Sequence, residues 1–272
     1  MATTPHFPGG AHSRAPVAVV APRDRLLISA CIALMTALAW AYLVHLARQM
    51  SVSAEHETMM ATMGMTMNMP WTTADFFFTF AMWTVMMAGM MSGSAAPVLL
   101  LFAAARAGRG EHRVPLAVLI FGLGYLTVWV GFSAGAAIVQ WALHQSAMLS
   151  PHMAASSRRL AAAIVVGAGA YQLTPVKGAC LAHCRSPLGF LMTNWRDGKL
   201  GAFQMGIRHG VFCLGCCWAL MCVLFAVGVM NLLWVAALTV FVLLEKVAPA
   251  GVIAGRVAGA GMIVLGLVAM VN

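Results

Sequence analysis

Charge is what this chain has little of. Asp, Glu, Lys and Arg make up 8% of its 272 residues, against roughly 25% in an ordinary soluble domain. Such a chain could not cover a soluble surface. Only 7 residues are acidic, and no two of them are spaced as a carboxylate pair for acid–base work. A glycine-rich nucleotide loop and a Ser-His-Asp arrangement are also missing. Nothing in the pattern marks an enzyme. What fills the space is apolar: hydrophobic residues reach 62% and mean hydropathy is +0.88. The 16 Lys and Arg would suggest nucleic acid or acidic partners on a soluble protein. In so apolar a chain they instead mark loops held on one side of a bilayer, and no nucleic-acid partner is expected.

Seven apolar stretches can be counted: Leu26 to Leu46, Phe76 to Ala104, Val114 to Leu143, Leu160 to Val176, Gly210 to Val229, Leu232 to Val247 and Val252 to Val271. The fourth is short for a span, which needs about 20 apolar residues. The sixth is the weakest, because its uncharged part, Leu232 to Leu244, has only 13 residues. Gly228-Val229-Met230-Asn231 predicts a tight hairpin before it, with a re-entrant segment as the alternative. If all seven stretches cross, 13 of the 16 cations fall on one side and only Arg48, Arg158 and Arg159 on the other. By the positive-inside rule the N-terminus is then cytoplasmic and the C-terminus periplasmic. The expected fold is all-α, a polytopic bundle of about seven transmembrane helices in a bacterial inner membrane. A disordered cytoplasmic tail, 1–25, would precede a single transmembrane domain, 26–272. No cleavable signal peptide is expected. Two long loops remain, an outer one at 48–75 and a cytoplasmic one at 177–209.

Methionine is concentrated in one place. Of 22 Met, 11 fall between Met59 and Met91. Met63, Met65, Met67 and Met69 alternate in the outer loop, so an extended chain would project them from one face. Thioether sulfur is a soft donor that selects Cu(I), and it needs no deprotonation. Met82, Met86 and Met90 continue the theme at helical spacing, joined by Met87 and Met91. The plainer reading of this stripe is core packing, since Met is an adaptable apolar filler.

Five of the 7 Cys fall between Cys180 and Cys217. One unit is Cys180-x-x-x-Cys184 with His183 inside. The other is His209-x-x-x-Cys213-x-x-Cys216-Cys217, whose members share an arc of about 100° on a helix. Both units are expected at the cytoplasmic ends of spans four and five. There thiols stay reduced, which favours metal or redox chemistry over structural disulfides. Cys180, Cys184, His209, Cys213, Cys216 and Cys217 are therefore candidate ligands, with Cu(I) or zinc as the metal. His183 would point sideways from both of its Cys neighbours. Cys31 and Cys222 read as ordinary apolar residues.

Other features carry less weight. Glu245-Lys246 reads either as an intramembrane functional acid or as a self-neutralising pair at the headgroups. Arg256 should snorkel to the cytoplasmic interface. Gly251, Gly255 and Gly259, and likewise Gly131 and Gly135, repeat at four-residue spacing as helix-packing faces, which offers a homo-oligomer or a membrane-protein partner. Ser92 to Pro97 should break or kink span two.

The stretches Pro175 to Pro187, His209 to Met221 and Gly228 to Trp234, together with Glu245-Lys246, closely resemble a bacterial family of predicted metal-binding integral membrane proteins, a domain-of-unknown-function family. Trp83 to Pro97 is similar to its paired-Met second helix, but this chain lacks a Pro soon after Met90-Met91. The resemblance, over roughly Phe76 to Pro249, implies a bound metal and no established activity. The Met-rich outer loop is not part of it. The expected function is an integral membrane protein that handles a soft metal such as Cu(I), as permease or metallochaperone. The alternatives are a scaffold with structural zinc or a membrane thiol oxidoreductase.

Overall fold

The computed structural model describes residues 21–63, 72–146 and 154–271. Among them every regular element is helical: α1 (Pro22–Thr62), α2 (Thr73–Gly108), α3 (Val114–Gln145), α4 (Arg158–Gln172), α5 (Pro175–Arg185), α6 (Pro187–Asn194), α7 (Gly198–Cys222), α8 (Leu224–Val227), α9 (Leu232–Val247) and α10 (Gly251–Val271). Five segments are long and apolar enough to cross a membrane: Pro22–Ser51, Thr73–Gly108, Val114–Gln145, Gly198–Val227 and Gly251–Val271.

Two of the seven expected spans take another form. The fourth does not run on to Val176. Its helix stops at Gln172, and α5 leaves at 64° to α4. The local chemistry explains the break. Thr174 caps α5 by accepting from the Lys177 N–H, and Pro175 occupies the first turn, where its missing N–H costs nothing. The sixth is α9, of 16 residues, below the length of a straight crossing. The hairpin ahead of it forms as expected. Gly228 sits at φ 101°, in the left-handed region open to glycine, and the Asn231 side chain caps α9.

Both expected loops are shorter than the sequence suggests. Helix α1 continues past Arg48 to Thr62. The segment 177–209 is helical through α5, α6 and the first turns of α7, which begins at Gly198 rather than near Gly210. Nor does the chain break at Ser92 to Pro97: α2 runs unbroken from a Thr72–Asp75 capping box to Gly108 with Pro97 inside it.

Glycine sets the closest helix contacts. A Cβ on Gly124 of α3 would meet the Phe203 carbonyl of α7, and one on Gly206 of α7 would meet the Phe121 carbonyl of α3. The two backbones thus touch reciprocally, as small residues permit between membrane helices. Helices α4 and α10 repeat the device, with Gly169 against the Gly259 carbonyl and Gly266 against that of Ala162. Gly251, Gly255 and Gly259 are buried, as their spacing suggests. Gly131 and Gly135 have open space beside them, so their face packs against nothing among the described residues.

The core lies between α2, α3 and α7. Met82, Met86, Met87, Met90 and Met91 are all buried there beside Trp83, Phe102, Phe121 and Trp129, which makes the helical Met stripe part of the packing. The Trp83 indole N–H donates to Gln140 Oε1 at 2.7 Å. Outward faces are apolar instead of charged: Leu26, Leu34 and Leu38 on α1, and Ile253, Val257 and Val264 on α10.

Candidate functional site

Because α7 starts at Gly198, its Cys unit lies well inside the bundle rather than at its end. At 1.5 Å per residue, Cys213 is about 22 Å along the helix. Cys213, Cys216 and Cys217 are each 1% exposed. Four-residue periodicity puts His209 and Cys213 on one face, and Cys216 and Cys217 extend it. The Cys216 and Cys217 thiols both donate to the Cys213 carbonyl at 3.0 Å. That turn satisfies their hydrogens in a core closed to water.

Helix α5 brings the second unit against the first. Cys184 Sγ lies 4.0 Å from Cys216 Sγ. Cys180 abuts Gly215, where a Cβ would come within 2.7 Å of its sulfur. His183 faces elsewhere, as its spacing predicts: its ring stacks on Phe212 with centroids 4.0 Å apart. His209 is buried among Tyr125, Phe190 and Phe121, and its Nδ1 has no hydrogen-bond partner among the described residues.

Three residues outside the expected ligand set complete the site. Lys246 Nζ donates to Cys213 Sγ at 3.1 Å and to Ser94 Oγ at 3.0 Å. Tyr125 Oη is 3.1 Å from Cys213 Sγ and also donates to the Met91 carbonyl. Glu245 and Lys246 are therefore not a self-neutralising pair. Glu245 instead accepts from Lys177 Nζ at 2.6 and 2.8 Å, with side chains only 2% and 3% exposed. Arg256 is exposed, one turn into α10. Tyr125 and Ser94 carry no spacing signal, and Lys246 stood out only as the neighbour of Glu245.

Of the outer methionines, Met63 is exposed at the end of α1. Met65, Met67 and Met69 lie outside the described residues. Among the described residues no three His, Cys, Asp or Glu side chains are arranged around one metal position. What converges is a set of thiols with an ammonium and a phenol.

The protein is thus all-helical among its described residues, with several helices long enough to cross a membrane and a sealed thiol cluster in its core. The chain belongs to the copper chaperone family PpoB2, whose family model matches residues 80–269. Neither curated proteins nor solved structures yield a match.

Proposed function

We propose that this is a polytopic membrane protein that handles copper, carrying Cu(I) as cargo on thiols contributed by α5 and α7. The observation that carries the reading is the meeting of Cys184 with Cys216 across two helices, their sulfurs 4.0 Å apart, in a chain whose family is that of a copper chaperone. Cys213, Cys216 and Cys184 are the central ligands. Cys217 and Cys180 flank them, and the unpartnered His209 Nδ1 is a further donor one turn away. Thiolate sulfur fits Cu(I), and binding replaces the thiol protons with the metal. Burial would keep the ion from water and from stray ligands.

The outer segment fits the same role. Met63, Met65, Met67 and Met69 would capture Cu(I) on the periplasmic face of a bacterial inner membrane, with the N-terminus inside and the C-terminus outside. The cation distribution along the sequence supports that orientation. The lipid bilayer is the solvent for the apolar faces of α1 and α10.

The test is Cu(I) titration of the purified, metal-free chain against a chromophoric chelator. Cys213→Ser and Cys216→Ser should each abolish tight binding, since Ser has almost the same volume and is a poor soft ligand. Cys222→Ser, on the same helix and outside the cluster, should bind as the unaltered protein does. Full binding by both cluster variants would sink the assignment. The short separation of Cys184 and Cys216 favours one rival, a thiol redox pair. A reversible Cys184–Cys216 disulfide with no copper affinity would replace the copper reading with that one.

A further inference from the structure

We propose that α5 is the door of the thiol site and that the buried Lys177–Glu245 ion pair is its latch. This rests on the reading of the α5 and α7 thiols as a copper site. Cys213, Cys216 and Cys217 are sealed, so a metal must reach them past something that moves. Cys180 and Cys184 are only half-buried, and both ride on α5.

Helix α5 is built to swing. It is joined to α4 through Leu173 and Thr174, at a 64° break. Broken membrane helices are recurrent hinge points. Its fully buried residues are Lys177 and Leu181, and Cys180 and Cys184 pack partly buried against the core. The His183–Phe212 stack adds a contact on the α7 side.

Polar groups clip both of its ends to the end of α9. At the first turn, Lys177 Nζ donates to both Glu245 oxygens and to Gln172 Oε1, and the Gln172 amide donates to Glu245 at 3.2 Å. At the last turn, the Arg185 guanidinium donates to the carbonyls of Glu245 and Pro249. Buried Gly255 lets Glu245 pack this close, since a Cβ there would strike the carboxylate. A buried ion pair adds little net stability over an apolar replacement, but it fixes one geometry and fails when one partner is lost. Those are the properties of a latch. Closed, it sets Cys184 against Cys216. Open, it uncovers the α7 thiols for loading and for transfer.

The test uses the full chain, metal-free in detergent, with diamide as oxidant and a water-soluble maleimide as probe. The rate of Cys184–Cys216 disulfide trapping and the labelling of Cys213 and Cys217 are read by peptide mass spectrometry. Lys177→Met and Glu245→Gln should each slow trapping by about tenfold, the size expected for coupled contacts, and should raise labelling of Cys213 and Cys217. The exchanged double variant, Lys177→Glu with Glu245→Lys, should return both readouts towards those of the unaltered chain. This rescue separates a latch from general loosening, and it serves as the deciding variant where a single replacement fails to fold. Trapping and labelling unchanged in Lys177→Met, or no recovery in a folded exchanged variant, would overturn the proposal. Copper takes no part in these measurements. A chain that traps and labels as expected but binds no Cu(I) would retain the latch and lose only the copper reading.

Discussion

Lys246 does not pair with the acid beside it in sequence: its Nζ lies 3.1 Å from the Cys213 thiol, while Glu245 is taken by Lys177. Adjacent residues on a helix point about 100° apart, so two neighbours of opposite charge serve two separate sites. One side chain helps to orient the central cysteine. The other fixes the helix that brings the opposing cysteines.

Lys246→Met should therefore separate stability from metal binding. Removing the whole buried charge costs less than stranding it, so folding should survive, as read by thermal unfolding in detergent. Cys213 would lose one of its two orienting partners, and Cu(I) affinity should fall by about tenfold, the scale of coupling between touching polar groups. Lys199→Met, at an exposed lysine, should leave affinity unchanged. Equal affinities in both variants would remove Lys246 from the site.

Gly206→Ala should destabilise the chain by about 1–3 kcal/mol, the usual cost of overpacking a well-filled contact. The added methyl would meet the backbone carbonyl of Phe121, which has no rotamer with which to move aside. Gly131→Ala is the matched control at an open position and should be neutral in the same unfolding experiment. Equal melting of the two variants would contradict the close α3–α7 approach.

Gln140→Leu removes the acceptor of the Trp83 indole N–H. Stranding a buried donor costs about 1–3 kcal/mol. The expected result is a lower melting temperature with Cu(I) affinity retained, because this contact lies apart from the thiols.

Replacing Met63, Met65, Met67 and Met69 together with Leu keeps the apolar volume and removes the soft donors. Fold and expression should persist, and Cu(I) capture by the intact protein should weaken. Cu(I) capture equal to that of the unaltered chain would mean that the outer segment has no part in it.

Reporter fusions address orientation. Those placed after Thr73 and at the C-terminus should read as periplasmic, and one near Asp197 as cytoplasmic. A cytoplasmic C-terminus would show that α9 turns back instead of crossing.

The helical class and most helix centres were legible in the sequence, because apolar runs of this length favour helices, which pair every backbone polar group within the segment. The position of the thiol site was not. Counting hydrophobic residues started α7 near Gly210, since Arg196, Lys199 and Arg208 read as loop. In the structure Arg196 donates to Gln204 at 2.6 Å beside a helix that has already begun. Twelve further residues push the Cys unit from the end of the bundle into its middle. The break at Thr174-Pro175 was also underweighted, although Thr capping followed by Pro is a helix start that sequence can show. Tyr125 and Ser94 could not have been found, because their roles come from packing across helices and not from spacing along one.

The one-sided seating of α1 has a consequence for the site. Among its described side chains Ile28, Ala39 and Leu43 are the buried apolar ones, and it meets α2 through the Thr36–Ser92 hydrogen bond and the approach of Ala39 to Gly89, along the flank of the bundle, whereas α3 and α7 are locked by interleaved glycines. The family match also begins only at residue 80, beyond α1 and the Met-rich stretch. The sulfurs at the centre sit on α5 and α7, within residues 80–269, so their spacing is set by the helices that the family model covers and not by this flank.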